Sequence, residues 1–129
     1  MMRRAVLDTN VLVSAILSPK GNAAVILGMI SDGALTPVYC RQILSEYLTV
    51  LTRARFGFPK SRVDEALGLF DIFGVPVDPQ GSDFPMTDES DRIFYDTAVA
   101  GGAKLITGNL KHFPEKPFIV SPVDFLLRL

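Results

Sequence analysis

Cysteine is nearly absent. Cys40 is the only one in 129 residues, which excludes an intramolecular disulfide and a cysteine cluster for zinc and suits a reducing cytoplasm. Histidine is equally scarce: His112 stands alone between Lys111 and Phe113, a setting that reads as structural rather than catalytic. No excess of one charge exists either. The formal net charge of −1 argues against a strongly basic nucleic-acid coat protein and leaves room for a local basic patch. Internal repeats, low-complexity tracts and long hydrophobic runs are lacking. The first apolar run is cut by Asp8, and Val11 to Leu17 is too short to cross a bilayer, so neither a signal peptide nor a membrane span is expected.

What is present is core-forming sequence. With 48% hydrophobic and 21% charged residues, residues 1–129 fit one domain with a sizeable core. Ala5-Val6-Leu7 reads as a buried strand ending in the polar Asp8-Thr9-Asn10. A short helix over Val11–Leu17 stops near Ser18-Pro19. Asn22 is placed to cap a second helix that Asp32-Gly33 ends. Leu35 to Tyr39 reads as a strand that Pro37 confines to an edge or makes irregular. Helical spacing recurs from Arg41 to Arg53, and Ser61 is placed to cap the next helix, up to Gly74. A short strand at Val75–Val77 leads into a Pro/Gly-rich loop. A helix starting at Asp88 or Ser90 then closes at Gly101-Gly102. Lys104–Thr107 and Phe118–Val120 are the last strands, and Ser121-Pro122 opens a final helix. Alternating strands and helices predict an α/β three-layer sandwich, with a central parallel sheet flanked by helices. Ligands in such folds gather at the carboxyl ends of the strands, where Asp8 and Asn109 fall.

Three acids stand out. Asp8 follows a buried strand, where a charge is costly unless paired or bound to a cation; a turn or helix cap is the plainer explanation. Glu46 lies at the margin of its helix's apolar stripe, between Ile43 and Val50, a position also open to an ordinary surface glutamate. Asp91 shares a face with Phe94, Tyr95 and Ala98, although Asp88, Glu89 and Asp91 are partly explained as first-turn acids. Asp96, one turn on, reads as solvated or as a residue that supports the site from behind its ligands. With no His or Cys expected nearby, hard oxygen ligands from distant segments suit Mg²⁺ or Mn²⁺.

Leu7-Asp8-Thr9-Asn10, Glu46 in a mid-chain helix, and the block from Asp91 through Ala100-Gly101-Gly102-Ala103 to Thr107-Gly108-Asn109 together resemble the PIN-domain nucleases. The nearest branch is the VapC-like toxin components of toxin–antitoxin pairs, and the likeness spans about residues 3 to 123. The resemblance implies a PIN-like fold and a metal-dependent endoribonuclease. Its first three acids fall on Asp8, Glu46 and Asp91. Its fourth polar position, often Asp, falls on Asn109, which adds no charge and so bears on a second ion rather than the first. Thr107 matches the usual Thr or Ser near the site, and Thr9 and Asn10 match the small polar residues beside the first acid. In this scheme Asp8 and Asp91 are direct or water-mediated ligands. Glu46 is a ligand or orients the attacking water, and Asn109 completes the outer coordination. Clustered carboxylates without a cation should repel and raise at least one pKa.

The expected substrate is RNA, and the resemblance adds a cognate antitoxin and a homodimer, with spare apolar surface on the early helices. Arg53, Arg55, Lys60 and Arg62 surround Phe56 and Phe58 in an acid-free stretch that can grip a phosphate backbone and stack a base, or simply be an exposed loop over core-facing Phe. Two rivals remain. An aspartyl-phosphate enzyme also opens with an acid after its first strand, but wants a second acid where Asn10 stands. A non-catalytic PIN-like binding domain is disfavoured by Asp8, Glu46 and Asp91 and kept open by Asn109.

Overall fold

Ala5, Val6 and Leu7 are almost wholly buried, and this apolar triplet ends the strand around which the rest assembles. A computed structural model describes residues 3–129. In chain order the elements are β1 (Arg3–Leu7), α1 (Thr9–Leu17), α2 (Asn22–Ser31), β2 (Leu35–Tyr39), α3 (Arg41–Leu51), α4 (Lys60–Phe73), β3 (Val75–Pro76), α5 (Arg92–Gly101), β4 (Lys104–Ile106), β5 (Ile119–Val120) and α6 (Pro122–Leu127). Single 3-10 turns span Glu89–Asp91 and Leu110–His112. The five strands run in the order β3-β2-β1-β4-β5, and every pairing is parallel. Helices cover the sheet as the alternation predicts.

The order reverses at β1. The chain builds outward from β1 through β2 to β3, then returns to place β4 on the other flank of β1. In open parallel sheets this reversal opens a crevice beyond the carboxyl ends of the two central strands. The residues that leave those ends are Asp8 and Thr107, and the Asp8 amide still donates to Ile106 O at 2.9 Å.

Large aromatic side chains from α3, α4 and α5 pack together in the core. Tyr47, Phe70 and Phe94 are all but inaccessible, with Tyr47 and Phe70 ring centroids 5.1 Å apart. Burial of each such side chain contributes about 1.5–3 kcal/mol. The Tyr47 hydroxyl donates to Leu7 O at 2.5 Å, so α3 is pinned to the end of β1, one residue before Asp8. The Ala100–Ala103 block has two distinct steric reasons. A Cβ on Gly101 would lie 2.5 Å from Val38 Cγ1, so only glycine lets α5 close onto β2. Gly102 ends α5 at φ 57°, a left-handed conformation in which a side chain is strained.

Three local expectations are corrected. Pro37 is not on an edge strand, because β2 lies between β1 and β3. Its missing N–H is harmless because it shares parity with Tyr39, whose carbonyl faces β3, and β3 begins opposite Val38, just past the point where Pro37 would need a partner. Helix α4 begins at Lys60 with Pro59 in the capping position, one residue before the expected Ser61 cap. Helix α2 is capped by Gly21 rather than Asn22.

Candidate active site

Asp8 is 5% exposed, because the strand it leaves is buried and α1 starts at once. It occupies the cap position of α1 but makes no side-chain capping hydrogen bond. Its carboxylate turns to β4 instead, where Oδ2 accepts from the Thr107 hydroxyl at 2.7 Å. Burial pushes its pKa up from the ordinary value. The Thr107 bond, the neighbouring Asn10 and Thr9 amides and His112 pull against that rise without cancelling it. Thr107 is fully buried, and its oxygen also accepts from the Asn109 amide at 2.9 Å. One hydroxyl thus fixes both the first acid and the turn that carries Asn109, which is half-buried.

Glu46 is half-buried on α3. Its Oε2 accepts from the hydroxyl of the buried Thr9, so the residue after the first acid holds the second. Asn10 is exposed at the start of α1. The phenol of Tyr47 is pushed well above its ordinary range by burial first, then by the charges of Asp8 and Glu46, which places both acids near one buried ring.

Asp91 ends the 3-10 turn and opens α5, with its side chain 15% exposed. Burial raises its pKa and the charge of Asp8 raises it further, against the opposing hydrogen bond from His112. The charge of Asp8 is therefore felt at Asp91 across the crevice. His112 Nδ1 lies 3.1 Å from Asp91 Oδ2, brought there by the turn at Leu110–His112. Asp88, exposed, accepts from the Ser90 amide and hydroxyl at 3.0 and 2.8 Å, and those bonds hold its pKa down.

Among the described residues, the one set of three acidic or imidazole ligand atoms lying within 4.8 Å of one another is Asp88, Asp91 and His112. Asp8 and Glu46 stand outside that set. The structure brings Asp91 together with His112, Asp8 with Thr107, and Glu46 with Thr9, and all of them adjoin the carboxyl edge of β1 and β4. The expectation that no histidine would be nearby is overturned by His112, a donor that spacing could not link to Asp91 across an irregular loop. Of the two readings of Asp96, the solvated one is corrected. It is 7% exposed and accepts from the Ser82 amide at 3.3 Å, rather than facing solvent.

Arg92 went unnoticed in the sequence. It donates to Ser82 O at 3.1 Å and Phe84 O at 2.6 Å while pairing with Glu89. The loop before α5 is thereby tied down beside Asp91. The i,i+3 spacing of Glu89 and Arg92 was the available signal. Arg53, Arg55, Lys60 and Arg62 are all exposed. Phe56 and Phe58 stack in parallel at 5.0 Å, Arg55 lies over Phe56 at 4.9 Å, and Lys60 pairs with Asp64 at 2.7 Å.

The PIN domain family model matches residues 4–111. The chain belongs to the PIN domain family. PIN domains are generally metal-dependent nucleases, so the family supplies a nuclease-type fold and a need for divalent cations. No curated protein matches this chain. The donors of this PIN domain fit that requirement. Asp8 and Asp91 are carboxylates that burial discourages from ionising and that lack a Lys or Arg partner among the described residues, a state that a hard divalent cation relieves. Asp88, Asp91 and His112 are themselves close enough to bind an ion. No single helix among the described residues is long and apolar enough to cross a membrane, and α1 and α2, which pass only as a pair, bend by 100°.

Proposed function

We propose that this PIN domain is an Mg²⁺- or Mn²⁺-dependent endoribonuclease that hydrolyses phosphodiester bonds in RNA, and that residues 1–129 form its one nuclease domain. The observation that carries the reading is the placement of two acids at the switch point of a parallel sheet, Asp8 buried and Asp91 half-buried; burial raises the pKa of each, and the charge of Asp8 raises that of Asp91 further. A divalent cation supplies a Lewis acid for the phosphate and the means to ionise water near neutral pH. Asp8 and Asp91 are the residues that would hold it, with Asn109 outermost. Thr107 keeps Asp8 in one rotamer. Glu46, held by Thr9, orients the attacking water. His112 steadies Asp91 through Nδ1. The reading is tested by incubating the purified chain with mixed RNAs: cleavage in Mg²⁺ or Mn²⁺ that EDTA stops supports it, and equal cleavage in EDTA contradicts it.

The role we assign is the toxin of a toxin–antitoxin pair acting in the cytoplasm, on the likeness of the Asp91–Asn109 block to VapC-like toxins. Growth arrest on induction, relieved by a protein encoded beside it, is the corresponding test. We assign a homodimer as well, because Leu17, Val25 and Leu48, on α1, α2 and α3, are 58%, 51% and 50% exposed; a monomer by light scattering at micromolar concentration contradicts it. The exposed Arg53, Arg55, Lys60 and Arg62 supply sequence-independent grip on the RNA backbone.

A further inference from the structure

The largest concentration of positive charge outside the basic loop lies at the opposite end of the sheet from the acids. Arg3 opens β1 and Lys104 opens β4. Because the two strands are parallel, both residues stand toward the amino edge; along the strand direction Arg3 is roughly 16 Å, and Lys104, in register with Ala5, roughly 10 Å, from Asp8 at ordinary strand rise. Together with Arg4 and Arg128 they border a cavity of about 550 Å³, inside the size range of small-molecule sites, ~300–1,000 Å³. All of these cations are exposed. The floor beneath them is apolar: Ala98, Ala103, Val120 and Phe125 are each at most 6% exposed, and Phe118 closes one side.

No Asp or Glu side chain lines this cavity, and the only carboxylate among its lining residues is the terminal one of Leu129. Among the described residues the ion pairs are Lys60–Asp64, Arg92–Glu89 and His112–Asp91, so none of the four cations at the rim is held in an ion pair, and the single terminal carboxylate of Leu129 leaves the rim with an excess of positive charge. Arg4 is also fixed in place, since its Nη1 donates to Gly101 O at 3.0 Å. In a chain of net charge −1, gathering like charges around an apolar hollow is unfavourable unless something anionic offsets it. A polynucleotide would match the charge but not the floor. Its phosphates are too strongly hydrated to favour buried Phe and Val, and the concave shape favours a compact ligand over a flat partner surface.

We propose that this pocket binds one apolar anion of small-molecule size, its hydrocarbon body on the Phe118–Phe125 floor and its acid group among Arg3, Arg4, Lys104 and Arg128. A medium-chain carboxylate is the simplest ligand of this class. The site is independent of the nuclease reading, since it shares no residue with the acids and is read by binding alone.

Calorimetric titration of the full chain with sodium decanoate, below its micellar concentration, tests the site. Saturable one-to-one uptake is expected, weakening as salt rises and with decanol or decyltrimethylammonium binding at least about tenfold more weakly. Lys104→Glu and Arg128→Glu change exposed side chains, so the fold should survive, which circular dichroism checks. Each should weaken decanoate by about tenfold, while the alcohol is unaffected. Absence of saturable uptake, equal binding of decanoate and decanol, or undiminished binding by folded Lys104→Glu and Arg128→Glu chains would overturn the proposal.

Discussion

The Thr107 hydroxyl donates to Asp8 Oδ2 at 2.7 Å, across 99 positions of sequence, while its oxygen accepts from the Asn109 amide at 2.9 Å. Thr107→Val keeps the shape and removes both bonds, leaving the buried Asp8 carboxylate without its hydroxyl donor and the Asn109 amide without its acceptor. Thermal unfolding should show a loss of about 1–3 kcal/mol. Because Asp8 is no longer held, Mn²⁺ affinity should fall by about tenfold. An unchanged affinity in a folded Thr107→Val chain would mean that Thr107 plays no part in placing Asp8.

The acids make stability depend on pH in a defined direction. Asp8 and Asp91 have folded pKa values raised above the ordinary carboxylate value. Between the ordinary and raised values the folded chain keeps protons that the unfolded chain has released. Stability from these two sites is therefore full below the ordinary value and is lost as pH rises through the raised one. In EDTA the urea midpoint of the parent should drop across that window more than that of Asp8→Asn, and saturating Mn²⁺ should remove the difference. A parallel pH dependence of parent and variant would show that Asp8 is not strained.

Asn109→Asp adds a carboxylate on the turn fixed by Thr107. In EDTA it should destabilise the chain by on the order of 1 kcal/mol through repulsion with Asp8. With Mn²⁺ present it should bind the ion more tightly than the parent, and a second ion if the site has room. Calorimetry showing weaker binding than the parent would remove position 109 from the ligand set.

Arg55→Ala tests the basic loop. Arg55 is exposed and rests on Phe56, so its loss should cost no more than about 0.5–1 kcal/mol of stability. The slope of log affinity for RNA against log salt should shrink by about 1, with metal affinity unchanged. A slope equal to the parent's would place the RNA path elsewhere.

Much of this was legible in the sequence. The run Ala5–Leu7 ending in Asp8 read as a buried strand with a charge at its rim, and the glycines at 101 and 102 marked the helix stop, while the close approach of Gly101 to Val38 came only with the structure. Glu46 at a stripe margin already signalled a side chain neither in the core nor free of it. What stayed hidden depended on irregular backbone. His112 reaches Asp91 because a 3-10 turn follows β4, and no periodicity reports such a turn. Asp96 could be read as solvated because nothing in the sequence shows that the loop around Ser82, tied down by Arg92, folds over it. Pro37 appeared to demand an edge, but the neighbouring strand is simply short at that point.

The central claim is that Asp8 holds the cation on which RNA cleavage depends. The direct measurement compares parent and Asp8→Asn chains, purified identically, cutting the same RNA in Mg²⁺, with thermal unfolding recorded for both. The account predicts that Asp8→Asn loses cleavage by a factor on the order of 100 or more, while its metal-free melting temperature is equal to or slightly above the parent's, because a buried charge has been removed. Cleavage by a folded Asp8→Asn chain as fast as the parent would contradict it.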